Sequence, residues 1–206
     1  MSAQHHPLAA PLALAAGLFA AIPSPAQVLP PVTVPPAAAT LPDQPADPAA
    51  QLDTLLARLA EPGRGDWQKI QGEILAIWSR SGSPAMDLLL RRGEEALKAG
   101  DTRLALERLD ALTDHAPEFA EAWNARATAW YLEDEFALAL ADIERALALN
   151  PRHFGALAGL GTIYEQLGDT DGALAAMRAV RALNPNHPDL DESIRRLEAS
   201  RGLSDI

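Results

Sequence analysis

Residues 120–153 read AEAWNARATAWYLEDEFALALADIERALALNPRH. Trp123, Ala127 and Trp130 fall at i, i+4 and i+7, which is one face of an α-helix. Glu133, Asp134 and Glu135 interrupt the pattern. A second apolar face then runs through Phe136, Ala139, Leu140, Ile143, Ala146 and Leu147 until Asn150 and Pro151 stop it. The stretch therefore predicts two helices folded against each other across a tight turn.

Moving outward by 34 residues in either direction recovers the same plan. Pro117, Pro151 and Pro185 keep this spacing, as do Ala105, Ala139 and Ala173, and Leu106, Leu140 and Leu174. Size classes repeat where identities do not. Gly93, Ala127 and Gly161 are small; Leu89, Trp123 and Leu157 are large, as are Leu109, Ile143 and Met177. The neighbouring turns are Gly100-Asp101 and Gly168-Asp169, where glycine ends a helix at positive φ and aspartate caps the next. Three units follow, at 86–119, 120–153 and 154–187. Such hairpins bury a core only by stacking on one another. Trp123 and Trp130 occupy large slots of the middle unit and are expected to be largely buried.

The segments at 120–127, 145–151 (RALALNP) and 159–169 (GLGTIYEQLGD) resemble tetratricopeptide repeats, and the resemblance spans 86–187, about half the chain. It implies an all-α fold, a right-handed superhelix of antiparallel hairpins, with a concave face that binds peptides or partner helices. By register the resemblance places Asp87, Leu90, Arg91, Glu94 and Lys98 on that face. The second unit contributes Glu121, Asn124, Thr128 and Tyr131, and the third Ala158, Thr162, Glu165 and Gln166. Arg91, Glu94, Lys98, Asn124, Thr128, Tyr131, Thr162 and Glu165 are the candidate partner contacts. Some family members clamp a terminal carboxylate with a Lys/Asn/Arg set. Here Gly155, Ala158 and Gly159 stand where bases are needed, so that ligand is not implied. The first unit also departs from the family, with Leu89 and Ala96 in place of the usual tryptophan and tyrosine.

Both flanks carry helical patterns. Leu190, Ile194 and Leu197 share one face of a helix in 188–206, a polar-backed cap of the kind a repeat stack needs. Upstream, Leu52, Leu55, Leu56 and Leu59 mark one helix, and Trp67, Ile70, Ile74, Leu75, Ile77 and Trp78 another. Residues 48–83 are thus expected to form a degenerate hairpin that packs on the repeats, against the first of them.

Residues 1–42 hold no Asp, Glu, Lys or Arg, and Leu8–Ile22 is apolar apart from Pro11. Fifteen residues of helix rise about 22 Å, short of a bilayer core of about 30 Å but suited to a secretory signal. With small Ser24 and Ala26, cleavage is expected after Ala26, giving an exported protein, bacterial and periplasmic, with no stable membrane span afterwards. The proline density of 27–47 predicts a disordered, extended linker.

Chemistry-bearing motifs are sparse. The net charge is −11, with no basic patch, which argues against nucleic acid. The absence of cysteine removes disulfides, thiolate metal sites and a thiol nucleophile. His115, His153 and His187 read as exposed loop residues without metal-ligand spacing, and the glycines of 155–161 lie inside a helix rather than in a phosphate loop. Arg126 stands where many repeats bury leucine, and Asp142 on the antiparallel helix is its expected partner in a partly buried ion pair. No catalytic, cofactor or metal site is expected. The favoured reading is a protein-binding scaffold, with a small-ligand receptor or enzyme accessory subunit and a self-associating structural protein as alternatives.

Overall fold

A computed structural model of the protein describes residues 47–204. The expectations for 1–26 and 27–46, including cleavage after Ala26, lie outside the described residues. Among the described residues every regular element is a helix: α1 (Pro48–Leu59), α2 (Trp67–Trp78), α3 (Pro84–Lys98), α4 (Thr102–His115), α5 (Ala120–Leu132), α6 (Phe136–Leu149), α7 (Phe154–Gln166), α8 (Thr170–Leu183) and α9 (Pro188–Ser204). None of them is long and apolar enough to cross a membrane.

Turn chemistry sets the hairpins. Gly100 and Gly168 take φ of 76° and 78°, and Asp134, at the equivalent position of the middle unit, takes 58°. That conformation costs an L-residue about 1–2 kcal/mol, least for Asp and Asn, which explains why the turn carries aspartate where it lacks glycine. Asp101 and Asp169 then accept hydrogen bonds from the backbone N–H of Leu104 and Gly172, capping α4 and α8.

The small and large slots are two halves of one contact. A Cβ on Gly93 would lie 2.7 Å from Leu109, and one on Gly161 2.8 Å from Met177. The paired helices therefore approach closely where the repeat has no side chain, and the large residue of the facing helix fills the space. Ala127 and Ile143 share the corresponding cluster of the middle unit. Each unit also closes its core on the next: Leu109 and Leu112 pack with Ala122 and Ala125, and Ile143 with Ala156 and Ile163. At the end of the stack α9 lays Leu190, Ile194 and Leu197 against Leu174 and Val180.

As expected, most of Trp123 and Trp130 is covered, and both pack against the core of the middle unit. The Trp123 indole N–H donates to the Pro117 carbonyl oxygen at 2.9 Å, and the guanidinium groups of Arg126 and Arg145 cover its ring at 4.8 and 6.0 Å. The Trp123 slot is thus the rim of the core, closed by cations, in keeping with the rarity of complete tryptophan burial. One expectation is corrected, that for the α1–α2 hairpin. Leu55, Leu56, Leu59, Ile70 and Ile74 cluster not with the first unit but with Phe154 and Leu183 of the third. Polar contacts fix that seat. Asn186 donates to the carbonyl oxygens of Leu59 and Glu61 and accepts from Arg64 N–H, Asn184 donates to Gln71, and Arg152 pairs with Asp53 at 2.8 Å.

Candidate functional site

Helices α3, α5 and α7 present their faces side by side, and α2 stands beside α7. Asn124, Thr128 and Tyr131 of α5 share one face because they are spaced by four and three residues. With Thr162, Gly155 and Gly159 of α7 they line a cavity of about 180 Å³ floored by Ala127, Ile143 and Ile163. Missing side chains at Gly155 and Gly159 leave the space, while Tyr131 stands at one wall and contacts Phe136. Glu94 and Lys98 of α3, with Glu121, Asn124 and Thr128, line an adjoining depression of about 280 Å³.

The remaining register positions divide. Arg91 is exposed and borders neither cavity. Glu165 turns to the cap, pairing with Arg196 at 2.9 Å. Asp87 accepts from the Ser81 N–H at 2.7 Å and from its hydroxyl at 2.6 Å, which holds its carboxyl below the ordinary range and ties down the loop before α3. Leu90 is 2% exposed and belongs to the core. Gln166 is exposed.

Glu121 is a buried strut, not a free groove acid. Its carboxylate accepts from His153 Nε2 at 3.0 Å and from Asn124 at 2.9 Å. The His153 ring is wholly buried, and its Nδ1 accepts from the Ala156 N–H at 3.1 Å. An accepting Nδ1 places the ring proton on Nε2, so one imidazole caps α7 and holds α5. Trp78 of α2 stacks on that ring at 4.7 Å. Burial pushes the Glu121 carboxyl up, but the hydrogen bonds from His153 and from the Asn124 amide outweigh it and hold it below its ordinary value. Glu94 is pushed up, by burial and then by the charge of Glu121. Thus the expectation of exposed loop histidines holds for His115 but is overturned for His153, and His187 is half-buried against Trp67 at 5.3 Å. Burial follows from the seat of the α1–α2 hairpin, which covers the junctions where both residues lie.

Arg126 is bound into a network. Its guanidinium donates to both Asp142 oxygens at 2.7 Å, and Nη1 donates to Asp110 at 2.9 Å and to the Thr113 hydroxyl at 2.8 Å. It joins α4, α5 and α6 and is turned to this partner set, not to a ligand.

A second cavity, of about 410 Å³, was not anticipated from the residue pattern. It opens between Gln71 and Leu75 of α2 and Phe154 and Ala158 of α7, and is closed by residues of α8 and α9. The sequence signal for it was the apolar stripe of α2, which had to be covered by something; the third unit's small residues left room there.

Comparison with known proteins gives a consistent result. The tetratricopeptide repeat family model matches residues 90–141 and 128–188. A TPR repeat-containing protein of Rhizobium etli is 31% identical over 151 residues, covering 73% of this chain and 74% of that protein. Among solved structures, the first TPR domain of Spaghetti (RPAP3) bound to the HSP90 peptide SRMEEVD has a TM-score of 0.55 at 23% identity, over 57% of this chain and 93% of that one. The TPR2B domain of yeast Sti1, in complex with pHsp70, has a TM-score of 0.53 at 21% identity, over 57% and 99%. These two likenesses are of fold.

Proposed function

The chain belongs to the tetratricopeptide repeat family, and from that premise we propose that it is a non-enzymatic scaffold or adaptor of the cell envelope, holding a segment of a partner protein in the groove along α3, α5 and α7. The observation that carries this reading is the cavity between α5 and α7. Asn124, Thr128 and Thr162 set hydrogen-bonding groups beside the Tyr131 ring over an apolar floor. Such a surface suits a peptide: backbone groups satisfy the amide and hydroxyls, and one ring supplies contact area at little rotamer cost. One protein sharing the fold is bound to an HSP90 peptide and another is in complex with pHsp70, which supports the choice of a protein segment over a small metabolite. The charge of −11 supports a protein partner over nucleic acid. For the envelope setting, the support is the uncharged apolar run Leu8–Ile22 followed by Ser24 and Ala26.

Changing Asn124, Thr128 and Tyr131 together to alanine tests the reading. All three side chains border the cavity, and the change gives up the Asn124 bond to Glu121 and the Tyr131 contact with Phe136, so the protein is expected to stay folded with a lowered melting temperature while crosslinked partner proteins are lost from a pull-down in intact cells. The paired control, Glu107→Ala with Glu144→Ala on the exposed faces of α4 and α6, is expected to retain them. A folded triple variant that captures the wild-type partners would show that the groove is not the binding face.

A further inference from the structure

The α1–α2 hairpin lies outside the 34-residue units, yet it forms one wall of the groove. Gly155 borders both the 180 Å³ cavity beside Tyr131 and the 410 Å³ cavity beside Leu75. The two therefore share a wall at the bare backbone of α7. Their chemistries differ. The larger is walled by Leu75, Phe154, Met177 and Val180, a lining that water satisfies poorly and a bulky apolar side chain satisfies well. His187 also borders it, and its Nδ1 is buried without a hydrogen-bond partner, the one such side-chain nitrogen or oxygen found among the described residues. An orphaned polar atom is unfavourable, and a backbone N–H brought in beside an apolar side chain satisfies it.

The smaller cavity adjoins the depression that Glu94 lines, with Asn124 and Thr128 bordering both. Burial and then the charge of Glu121 push the Glu94 carboxyl up, against the opposing charge of Lys98. Lys98 borders the same depression but makes no ion pair with it. Asp189 stands beside the larger cavity. Glu94, with Lys98 near it, and Asp189 thus flank an uncharged middle, in a chain of net charge −11. An extended strand advances about 3.3 Å per residue and passes over the bare Gly155, where α7 offers backbone and no side chain.

We propose that the two cavities join across Gly155 into one channel that takes an extended segment of a partner protein, which seats one bulky apolar side chain (Leu, Met or Phe) in the cavity walled by α2 and sets a basic side chain beside Glu94, so that the α1–α2 hairpin determines partner specificity. This rests on the groove reading above. It gives the hairpin a role that the repeats alone lack, because without α2 the apolar end of the channel has no outer wall.

The test is to select peptides from a display library of random dodecamers on the full chain, and to measure the binding of synthetic copies by fluorescence anisotropy. Selected sequences are expected to combine Leu, Met or Phe with a nearby Lys or Arg. Replacing the apolar residue of the peptide by alanine is expected to weaken binding at least about tenfold, as loss of a buried anchor does. Ala158→Phe, which fills the larger cavity, is expected to do the same, and Glu94→Gln to weaken basic peptides several-fold. The peptide-side substitution keeps the test decisive even if Ala158→Phe misfolds. Groove-dependent peptides that lack an apolar anchor, or that tolerate its loss, overturn the inference and leave the groove reading standing. If no selected peptide loses binding on the Asn124, Thr128, Tyr131 triple change, both fall together.

Discussion

Arg126 offers the sharpest energetic test of the packing. Asp142 is 4% exposed and holds both guanidinium bonds at 2.7 Å. Arg126→Ala leaves that carboxylate buried and unpaired, a situation that costs about 3–5 kcal/mol, and it removes the cation from the Trp123 face. Asp142→Ala is different, because Arg126 keeps Asp110 at 2.9 Å and Thr113 at 2.8 Å. Asp110 is half-exposed and contributes little by itself, so the loss is that of charge-assisted hydrogen bonds, about 1.5–3 kcal/mol. The arginine change is therefore the costlier. The double change is expected to cost less than the two singles added, with a coupling of about 1–3 kcal/mol. Urea melts of the four proteins, followed by circular dichroism, measure this. Equal single effects that add without coupling refute the network, and Arg126 then becomes available as a ligand contact.

Other consequences follow from the same geometry. Glu121 has a carboxyl held below its ordinary value of 4.5, so its contribution to stability is complete above that value and is lost as pH falls through the folded-state value; Glu121→Gln is expected to flatten the acid limb of a melting-temperature series. Glu94 is raised, so its sign is opposite: the charged form is disfavoured in the fold, and Glu94→Gln is expected to leave stability at pH 7 unchanged or increased, as thermal melts would show. Phe154→Ala removes the apolar seat of the hairpin, a loss of about 3–5 kcal/mol for a buried ring; hydrogen exchange is expected to rise first in α1 and α2, and a rise confined to α3 and α4 contradicts the docking described above. The mature chain in its native host is expected to begin near Gln27, and N-terminal sequencing that finds Met1 or Ser2 in a cytoplasmic fraction removes the envelope setting.

The all-α solenoid was legible because a repeat states each contact several times. Gly93 and Leu109, Ala127 and Ile143, Gly161 and Met177 rewrite the same small-on-large contact, and one reading corrects another. The Arg126–Asp142 pair was legible for a related reason, since both residues lie at similar distances from one turn. The seat of the α1–α2 hairpin was not. Its apolar stripe demands cover, but hydrophobic burial is non-directional, and nothing within 48–83 selects the third unit over the first. That choice is made by contacts such as Asn186 with Leu59 and Asn184 with Gln71, more than a hundred residues apart in sequence. His153 was misread through the same gap: a histidine at a hairpin junction looks solvent-facing until Trp78 is known to lie on it. Of the groove positions carried over by register, Asn124, Thr128, Tyr131 and Thr162 converge on one cavity. Leu90 and Glu121 do not, because a register says which face a residue is on but not how much its neighbours cover it.

The central claim is that a partner segment lies in the channel between α5 and α7. Placing a photo-crosslinking amino acid at Thr128, which is exposed at the mouth of that channel, and irradiating intact cells tests it directly when the adducts are identified by mass spectrometry. The same probe at Glu144, on the exposed face of α6, is the comparison. The account predicts a discrete adduct from Thr128, mapped to one segment of one partner and missing from Glu144. Adducts from Glu144 alone, or the same adducts from both positions, would contradict it.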